Sequence, residues 1–324
     1  MSVFLTSVSS VVEIVLIMAL GYILRRNNWF ADSFFGGGNI ASLITKIALP
    51  ASIFMSVMKY LTKDKLLGLG IGIIFPALAV IVSYLVAFAA VKLFKIRPGR
   101  RGIFINAVAN ANTIFIGMPL NTALFGNKAM SYFLIYYIVN TVSTWAFGVY
   151  LIQNDDPTAD GQKKQRDHIN WSKLLPMPLV GFIFSIIWLL IGIPVPNFIG
   201  QTLSYVGSLV TPLSLIYIGI VLYDAGLNNF RFERDSVLAL IGRFIISPLA
   251  LIILIKLGMG MGVHLPSLMR QTLVVQSATP MLAVLPILAK EAHGDVKYAT
   301  DVVVMSTVLF VVVVPILMAI LQFV

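Results

Sequence analysis

The residues with chemical potential in this chain are amides and hydroxyls set inside long apolar runs. Asn106, Asn110, Thr113 and Gly117 recur at helical spacing, with Asn112 beside them and Asn121 further on. Asn140, Thr141 and Thr144 form a second group, and Gln271, Gln276, Ser277 and Thr279 a third. An amide can donate hydrogen bonds to a carboxylate while remaining neutral, so an empty site strands no bare charge in an apolar medium. The same side chains also join helices to one another, at about 0.6–2 kcal/mol per pair. Position separates the two roles. Asn112, Thr113, Gln276 and Ser277 lie within a few residues of Gly117-Met118-Pro119 or Ala278-Thr279-Pro280, where proline withholds an N–H from the helix. Interrupted helices at matching places in two halves of a membrane protein expose half-helix amino termini, with free N–H groups and partial positive charge suited to an anion.

Ionisable residues inside apolar runs are few. Arg243 follows Gly242 in one such run and can serve either as an anion counter-ion or as a pin to Glu13 or to exposed carbonyls. Glu13 and Asp301 are candidate protonation sites for ion coupling, although Asp301 lies near a helix start, where capping is an equal explanation. Lys46, four residues before Pro50, reads as a snorkelling side chain. The three histidines are dispersed and offer no metal-ligand spacing, and with no cysteine there is no thiolate site. No HExxH, GxSxG or P-loop pattern is present. No cofactor is implied, and an enzyme would need a carboxylate dyad within the bilayer that the sequence does not supply.

The elements that hold these residues follow from composition. The 324 residues are 59% hydrophobic and 11% charged, and mean hydropathy is +0.94. Soluble chains run about 45–50% apolar and about 25% charged. A bilayer core needs about 20 apolar residues per helix. Charge-free runs span Leu66 to Val91, Gly102 to Asn127, Ala129 to Asn154, Leu174 to Tyr223, Gln271 to Ala289 and Val302 to Val324. Leu174 to Tyr223 is long enough for two spans, divided at Gly192, Pro194 and Pro196. Runs with one ionisable residue add Leu5 to Leu24, Asn39 to Met58 and Ser236 to Ile255, so an all-α polytopic membrane protein of ten transmembrane helices is expected. The first run has no basic leader or small-residue cleavage site and precedes Arg25 and Arg26, so it reads as a span. Fifteen of the 23 basic residues fall in odd-numbered connections and six in even ones, which puts odd connections in the cytoplasm and both termini outside. That distribution accounts for the net charge of +10 without nucleic acid.

The polar stretch 153–173 reads as a cytoplasmic linker between two repeats, 1–152 and 174–324. Five spans per half force the second repeat to be inverted. Ala48-Leu49-Pro50-Ala51-Ser52 in span two corresponds to Val210-Thr211-Pro212-Leu213-Ser214 in span seven, and Pro119 in span four to Pro280 in span nine, with Gly126 and Gly294 at equivalent turns.

Asn112-Thr113-Ile114-Phe115-Ile116-Gly117-Met118-Pro119-Leu120, followed by Gly126, resembles the Asn-Thr-x-x-x-Gly-x-Pro-Leu signature of the auxin efflux carrier family, which includes plant PIN-FORMED proteins and bacterial malate and malonate permeases. Gly242-Arg243-Phe244 with Pro248, and Gln276-Ser277-Ala278-Thr279-Pro280 with Pro286 and Ala289-Lys290-Glu291, resemble that family's span-eight and span-nine patterns. The resemblance implies two inverted five-helix repeats, spans four and nine crossing at their prolines, spans two and seven in a scaffold and homodimer interface, and elevator-type movement. It also implies a substrate carboxylate near Asn112, so the expected contacts are Asn112, Thr113, Gly117, Pro119, Gln276, Ser277, Thr279 and Pro280. Plant members carry a long central loop and an asparagine between prolines at the start of span six, where this chain has about twenty linker residues and Pro176-Met177-Pro178. The expectation is a multi-pass cell-membrane transporter of a small organic anion, a dicarboxylate such as malate, with proton or counter-anion coupling. The alternatives are an exporter of an auxin-like monocarboxylic acid and a ligand-binding membrane receptor.

Overall fold

The computed structural model describes residues 2–29, 39–155, 157, 177–226 and 232–321. Nearly all of the linker 153–173 therefore lies outside the described residues. Helix α1 is Ser2–Arg26. Helix α2 runs Asn39–Leu43, then a π turn Ile44–Ala48, then Leu49–Tyr60. Helix α3 is Lys63–Leu93. Helix α4 is split into α4a, Arg101–Ala109, and α4b, a π turn Thr113–Gly117 continuing as Met118–Phe125. Helix α5 runs Met130–Val142, a π turn Ser143–Gly148 and Val149–Gln153. Helix α6 is Met177–Ile191, and α7 combines Asn197–Ser208 with Val210–Ala225. Helix α8 runs Arg234–Ile241, a π turn Gly242–Ile246 and Ser247–Gly260. Helix α9 is split into α9a, Ser267–Ser277, and α9b, Leu285–Glu291, and α10 is Val296–Ile320. Among the described residues there is no strand, only one isolated antiparallel bridge between Ala111 and Met281.

Among the described residues, five helices are long and apolar enough to cross a membrane: Gly70–Leu93, Met130–Gln153, Asn197–Asp224, Arg234–Gly260 and Val296–Ile320. Thr113–Phe125 and Val180–Ile191 are shorter apolar helices. Outward faces match a lipid solvent. Helix α3 exposes Ile71, Ile74, Leu78, Ile81 and Leu85, and α8 exposes Val237, Ile241, Ile245, Leu249, Ile253 and Leu257, each set at helical spacing. Continuous apolar stripes of that length are not tolerated facing water.

Three π turns have a sequence cause. Residues 44–48 precede Pro50, 113–117 precede Pro119, and 242–246 precede Pro248, each ending two residues before the proline. A proline gives no N–H to the carbonyl four residues back, and the preceding turn widens to i→i+5 bonding to absorb the loss.

Helix α1 packs along α7, and α2 along both α6 and α7. The α1–α7 contact is close enough that a Cβ on Gly21 would lie 2.1 Å from the Ile216 carbonyl oxygen, and one on Gly219 would lie 1.9 Å from that of Met18. Helix α3 packs against α4a, α5 and α8, and α10 against α1, α8 and α9b. Two apolar cores result. One holds Phe115, Ile116 and Leu120 of α4b with Leu273, Val274 and Val275 of α9a. The other holds Ile103, Phe104 and Val108 of α4a with Leu285, Leu288 and Ala289 of α9b.

The odd-numbered connections meet on one face. Arg25 in the last turn of α1 pairs with Asp224 at the end of α7 at 2.6 Å, and the Gly102 N–H donates to Asp155 at 3.1 Å. Arg100, before α4a, pairs with Glu233 before α8 and with Asp295 before α10, the latter at 2.6 Å, while its guanidinium carbon lies 4.8 Å from the Tyr298 ring centroid. Arg100 holds the Glu233 carboxyl below its usual range. These contacts tie together the ends of helices that sequence reasoning assigns to one side.

Candidate functional site

The two broken helices cross at their breaks. Helix α4a ends at Ala109, and Asn110 to Asn112 are unwound before α4b begins. Helix α9a ends at Ser277, and none of the seven residues before Leu285 is helical. The Asn112 N–H donates to the Pro280 carbonyl at 2.8 Å, which is the strand-like contact where the chains pass. The break in α4 therefore comes at Asn110–Asn112, before the π turn, and Pro119 lies within the first turn of Met118–Phe125. The proline is accommodated there by the π turn that precedes it.

Amides hold the unwound peptide. The Ala111 N–H donates to Asn140 Oδ1 at 2.7 Å, and Asn140 Nδ2 donates to the Ala111 carbonyl at 2.9 Å. One side chain thus satisfies both polar groups of a peptide that has left the helix. Asn110 Nδ2 donates to the Tyr84 hydroxyl at 2.8 Å, and its Oδ1 accepts from the Ser143 hydroxyl at 2.6 Å. Asn112 caps α4b, its Oδ1 accepting from the Phe115 N–H at 3.2 Å. Asn112 Nδ2 is buried without a hydrogen-bond partner.

The remaining expected contacts fall behind the crossover. Gln276 Nε2 donates to the Gly117 carbonyl at 2.9 Å and thereby joins α9a to α4b. Gly117 is required for this approach, because a Cβ would lie 2.3 Å from Gln276 Oε1. The Ser277 hydroxyl donates to Val274 at 2.7 Å and the Thr279 hydroxyl to Gln276 at 2.9 Å, both local carbonyls. Gln276, Ser277 and Thr279 are all fully buried.

Arg243 is 0% exposed. Its Nη1 donates to the Val108 carbonyl at 3.2 Å and its Nη2 to the Ser277 carbonyl. Those carbonyls belong to the last turns of α4a and α9a, the negative ends of two half-helices that terminate inside the protein. A single guanidinium answers both, with the Tyr136 hydroxyl beside it. Glu13 is exposed on α1. Asp301 pairs with Lys297, one turn earlier on α10, at 3.5 Å.

On the other side of the crossover lies a cavity of about 420 Å³. Ala111 to Phe115, at the amino end of α4b, form one wall, and Leu282, Ala283 and Val284, leading into α9b, form another. Helix α5 adds Tyr137, Asn140, Thr141, Thr144 and Trp145, and α2 adds Ser42, Thr45 and Lys46. Asn112 and Thr113 thus face the cavity, whereas Gln276, Ser277, Thr279, Pro280, Arg243, Glu13 and Asp301 are not among its lining residues. Among the described residues, Lys46 is the one charged group of the lining, and none of them brings a carboxylate to it. Sequence reasoning placed Asn140 among the helix-joining amides and Lys46 as a snorkeller. The usable signal was spacing, since 137, 140, 141, 144 and 145 form one helical stripe, as do 42, 45 and 46. Among the described residues no cluster of acidic or histidine side chains is placed to hold a metal ion.

Comparison with known proteins agrees with this architecture. A family model described as "Membrane transport protein" matches residues 6–318. An uncharacterized transporter of Methanothermobacter thermautotrophicus is 24% identical over 320 residues, covering 97% of this chain and 98% of the relative. An uncharacterized transporter of Methanocaldococcus jannaschii is 24% identical over 270 residues, covering 82% of this chain and 83% of the relative. With its crossed breaks, its lipid-facing stripes and a match over nearly its whole length, the chain belongs to the membrane transport protein family, the auxin efflux carrier-like family whose signatures it carries.

Proposed function

We propose that the protein is a secondary transporter of a small organic anion, which binds in the cavity at the crossover of α4 and α9. The observation that carries this reading is the segregation of half-helix ends. The carboxyl ends of α4a and α9a turn away from the cavity to Arg243, while the amino end of α4b opens onto it with the unpaired Asn112 Nδ2. A neutral amide donor without a partner, at the positive end of a half-helix that borders an apolar cavity, suits a carboxylate. Asn112 and Thr113 are the contacts in this reading. Gly117, Pro119, Gln276, Ser277, Thr279 and Pro280 build the crossover that positions them.

Ten spans in two inverted repeats, 1–152 and 174–324, are supported by paired packing: α1 on α7 is matched by α6 on α2, and α3 on α5 by α8 on α10. The meeting of odd connections on one face, where basic residues concentrate, supports a cytoplasmic assignment for that face, external termini and residence in the cell membrane. The helices α1, α2, α6 and α7 would form a scaffold and homodimer surface, past which the crossover domain moves in an elevator-like step. A dicarboxylate such as malate is the favoured cargo. The aromatic lining of Phe115, Tyr137, Trp145 and Tyr217 supports a second reading, export of an aromatic monocarboxylic acid. An inward-negative potential opposes anion uptake by about 2.3 kcal/mol per charge per 100 mV, so uptake would need protons or a counter-anion and efflux would not.

The test is uptake and counterflow in proteoliposomes with labelled malate, malonate and an indole acid, with and without a proton gradient. Asn112→Ala is expected to abolish or strongly weaken transport of whichever acid is carried. Unchanged rate and apparent affinity would refute the site.

A further inference from the structure

We infer that Lys46 reads a second negative charge on the transported anion, so that the cavity selects a dicarboxylate dianion over its monoanionic counterpart. The inference rests on the organic-anion reading above and assigns a specificity-determining residue within that site. Among the described residues, Lys46 is the only charged one lining the cavity, and no aspartate or glutamate among them lines it to neutralise the ammonium. The cavity therefore carries two groups suited to anions on separate elements: the Asn112 amide at the amino end of α4b, and Lys46 on α2. A molecule with two carboxylates can engage both.

Local structure explains why the lysine stands there. Pro50 supplies no N–H to the Lys46 carbonyl, and the helix widens into the π turn Ile44–Ala48, with Lys46 at its centre. Ser42 lies one turn before Lys46 on the same face, and Thr45 beside it, and both also line the cavity. These three form the polar face that α2 gives to an otherwise largely apolar chamber.

The test compares the full-length protein in proteoliposomes with Lys46→Gln, Lys46→Arg and Lys46→Glu variants. Competition against transport is measured with dicarboxylates and their monoamides, succinate against succinamate and malonate against malonamate. Wild type is expected to prefer the dicarboxylate. Lys46→Gln is expected to weaken the dicarboxylate by about ten- to a hundredfold, the loss of one charge-assisted hydrogen bond, and to leave the monoamide within about twofold. Lys46→Arg should keep the preference and Lys46→Glu should reverse it. Undiminished discrimination in Lys46→Gln, or equal weakening of both members of a pair, overturns the inference and leaves the organic-anion reading standing. Wild type that recognises none of the carboxylates overturns both.

Discussion

Arg243 is the point at which the architecture of the crossover can be broken most selectively. Its guanidinium bridges the Val108 and Ser277 carbonyls, one from each broken helix, and it is 0% exposed. Lysine carries the same charge but lacks the planar fork, so it reaches one of the two carbonyls. The other is left buried and unpaired, at about 1–3 kcal/mol. Methionine leaves both unpaired, for about 2–6 kcal/mol, less whatever is recovered by no longer burying a cation. At about 2 °C per kcal/mol for a chain of this size, Arg243→Lys should lower the unfolding temperature in detergent by about 2–6 °C. Arg243→Met should lower it further, and both should slow transport through disorder at the crossover. Thermal unfolding of the purified variants, alongside uptake, reads both quantities. The opposite pattern would refute the reasoning: Arg243→Met as stable as wild type, with only the apparent substrate affinity lost. That result would make Arg243 a counter-ion in contact with the cargo, against its position behind the crossover.

Three further outcomes follow from the packing and the surface charge. Gly117→Ala places a methyl 2.3 Å from Gln276 Oε1, so it should break the Gln276–Gly117 hydrogen bond and cost about 1–3 kcal/mol; partial relief on adding Gln276→Ala, read by thermal unfolding, checks the contact. Gly219→Val forces a Cβ to within 1.9 Å of the Met18 carbonyl oxygen, so α1 and α7 must separate and detergent stability should fall by at least as much, whereas Gly70→Ala, which meets nothing within 4 Å, should be neutral. The Glu233 carboxyl is held below its usual range by Arg100, so its contribution is intact at neutral pH and lost only as pH falls through and below the ordinary carboxylate range. An unfolding series from pH 7 to 3 should show Glu233→Gln converging with wild type at the acid end; the shift is small because the side chain is 38% exposed.

Much of the site was legible because its residues break rules that apolar helices otherwise obey. Proline in a span, with amides beside it, marked α4 and α9, and Pro50, Pro119 and Pro248 locate three of the π turns. What spacing could not give was the offset between a proline and the break it accompanies. Helix α4 opens at Asn110–Asn112, where Asn140 can take up a whole peptide from across the bundle, and that partner is 29 residues away in sequence. Gln276 and Ser277 stand as close to a break as Asn112 does, but they point behind the crossover, a matter of helix rotation that depends on which neighbour each half-helix meets. Arg243 was visible as an anomaly, and its two options differed only in the direction of the side chain. Lys46 was visible too, yet only the π turn and the surrounding helices make it part of a cavity wall.

The central claim is that a carboxylate occupies the cavity between the amino end of α4b and the unwound segment of α9. The chain has no cysteine, so Ala283→Cys introduces a single reactive thiol in the cavity wall, and Leu93→Cys gives a control at a site that is 74% exposed and outside it. Maleimide modification rates in proteoliposomes, with and without saturating transported acid, test the claim directly. The account predicts that the acid slows modification of Ala283→Cys severalfold and leaves Leu93→Cys unchanged. Equal rates with and without acid, in an Ala283→Cys protein that still transports, would contradict it.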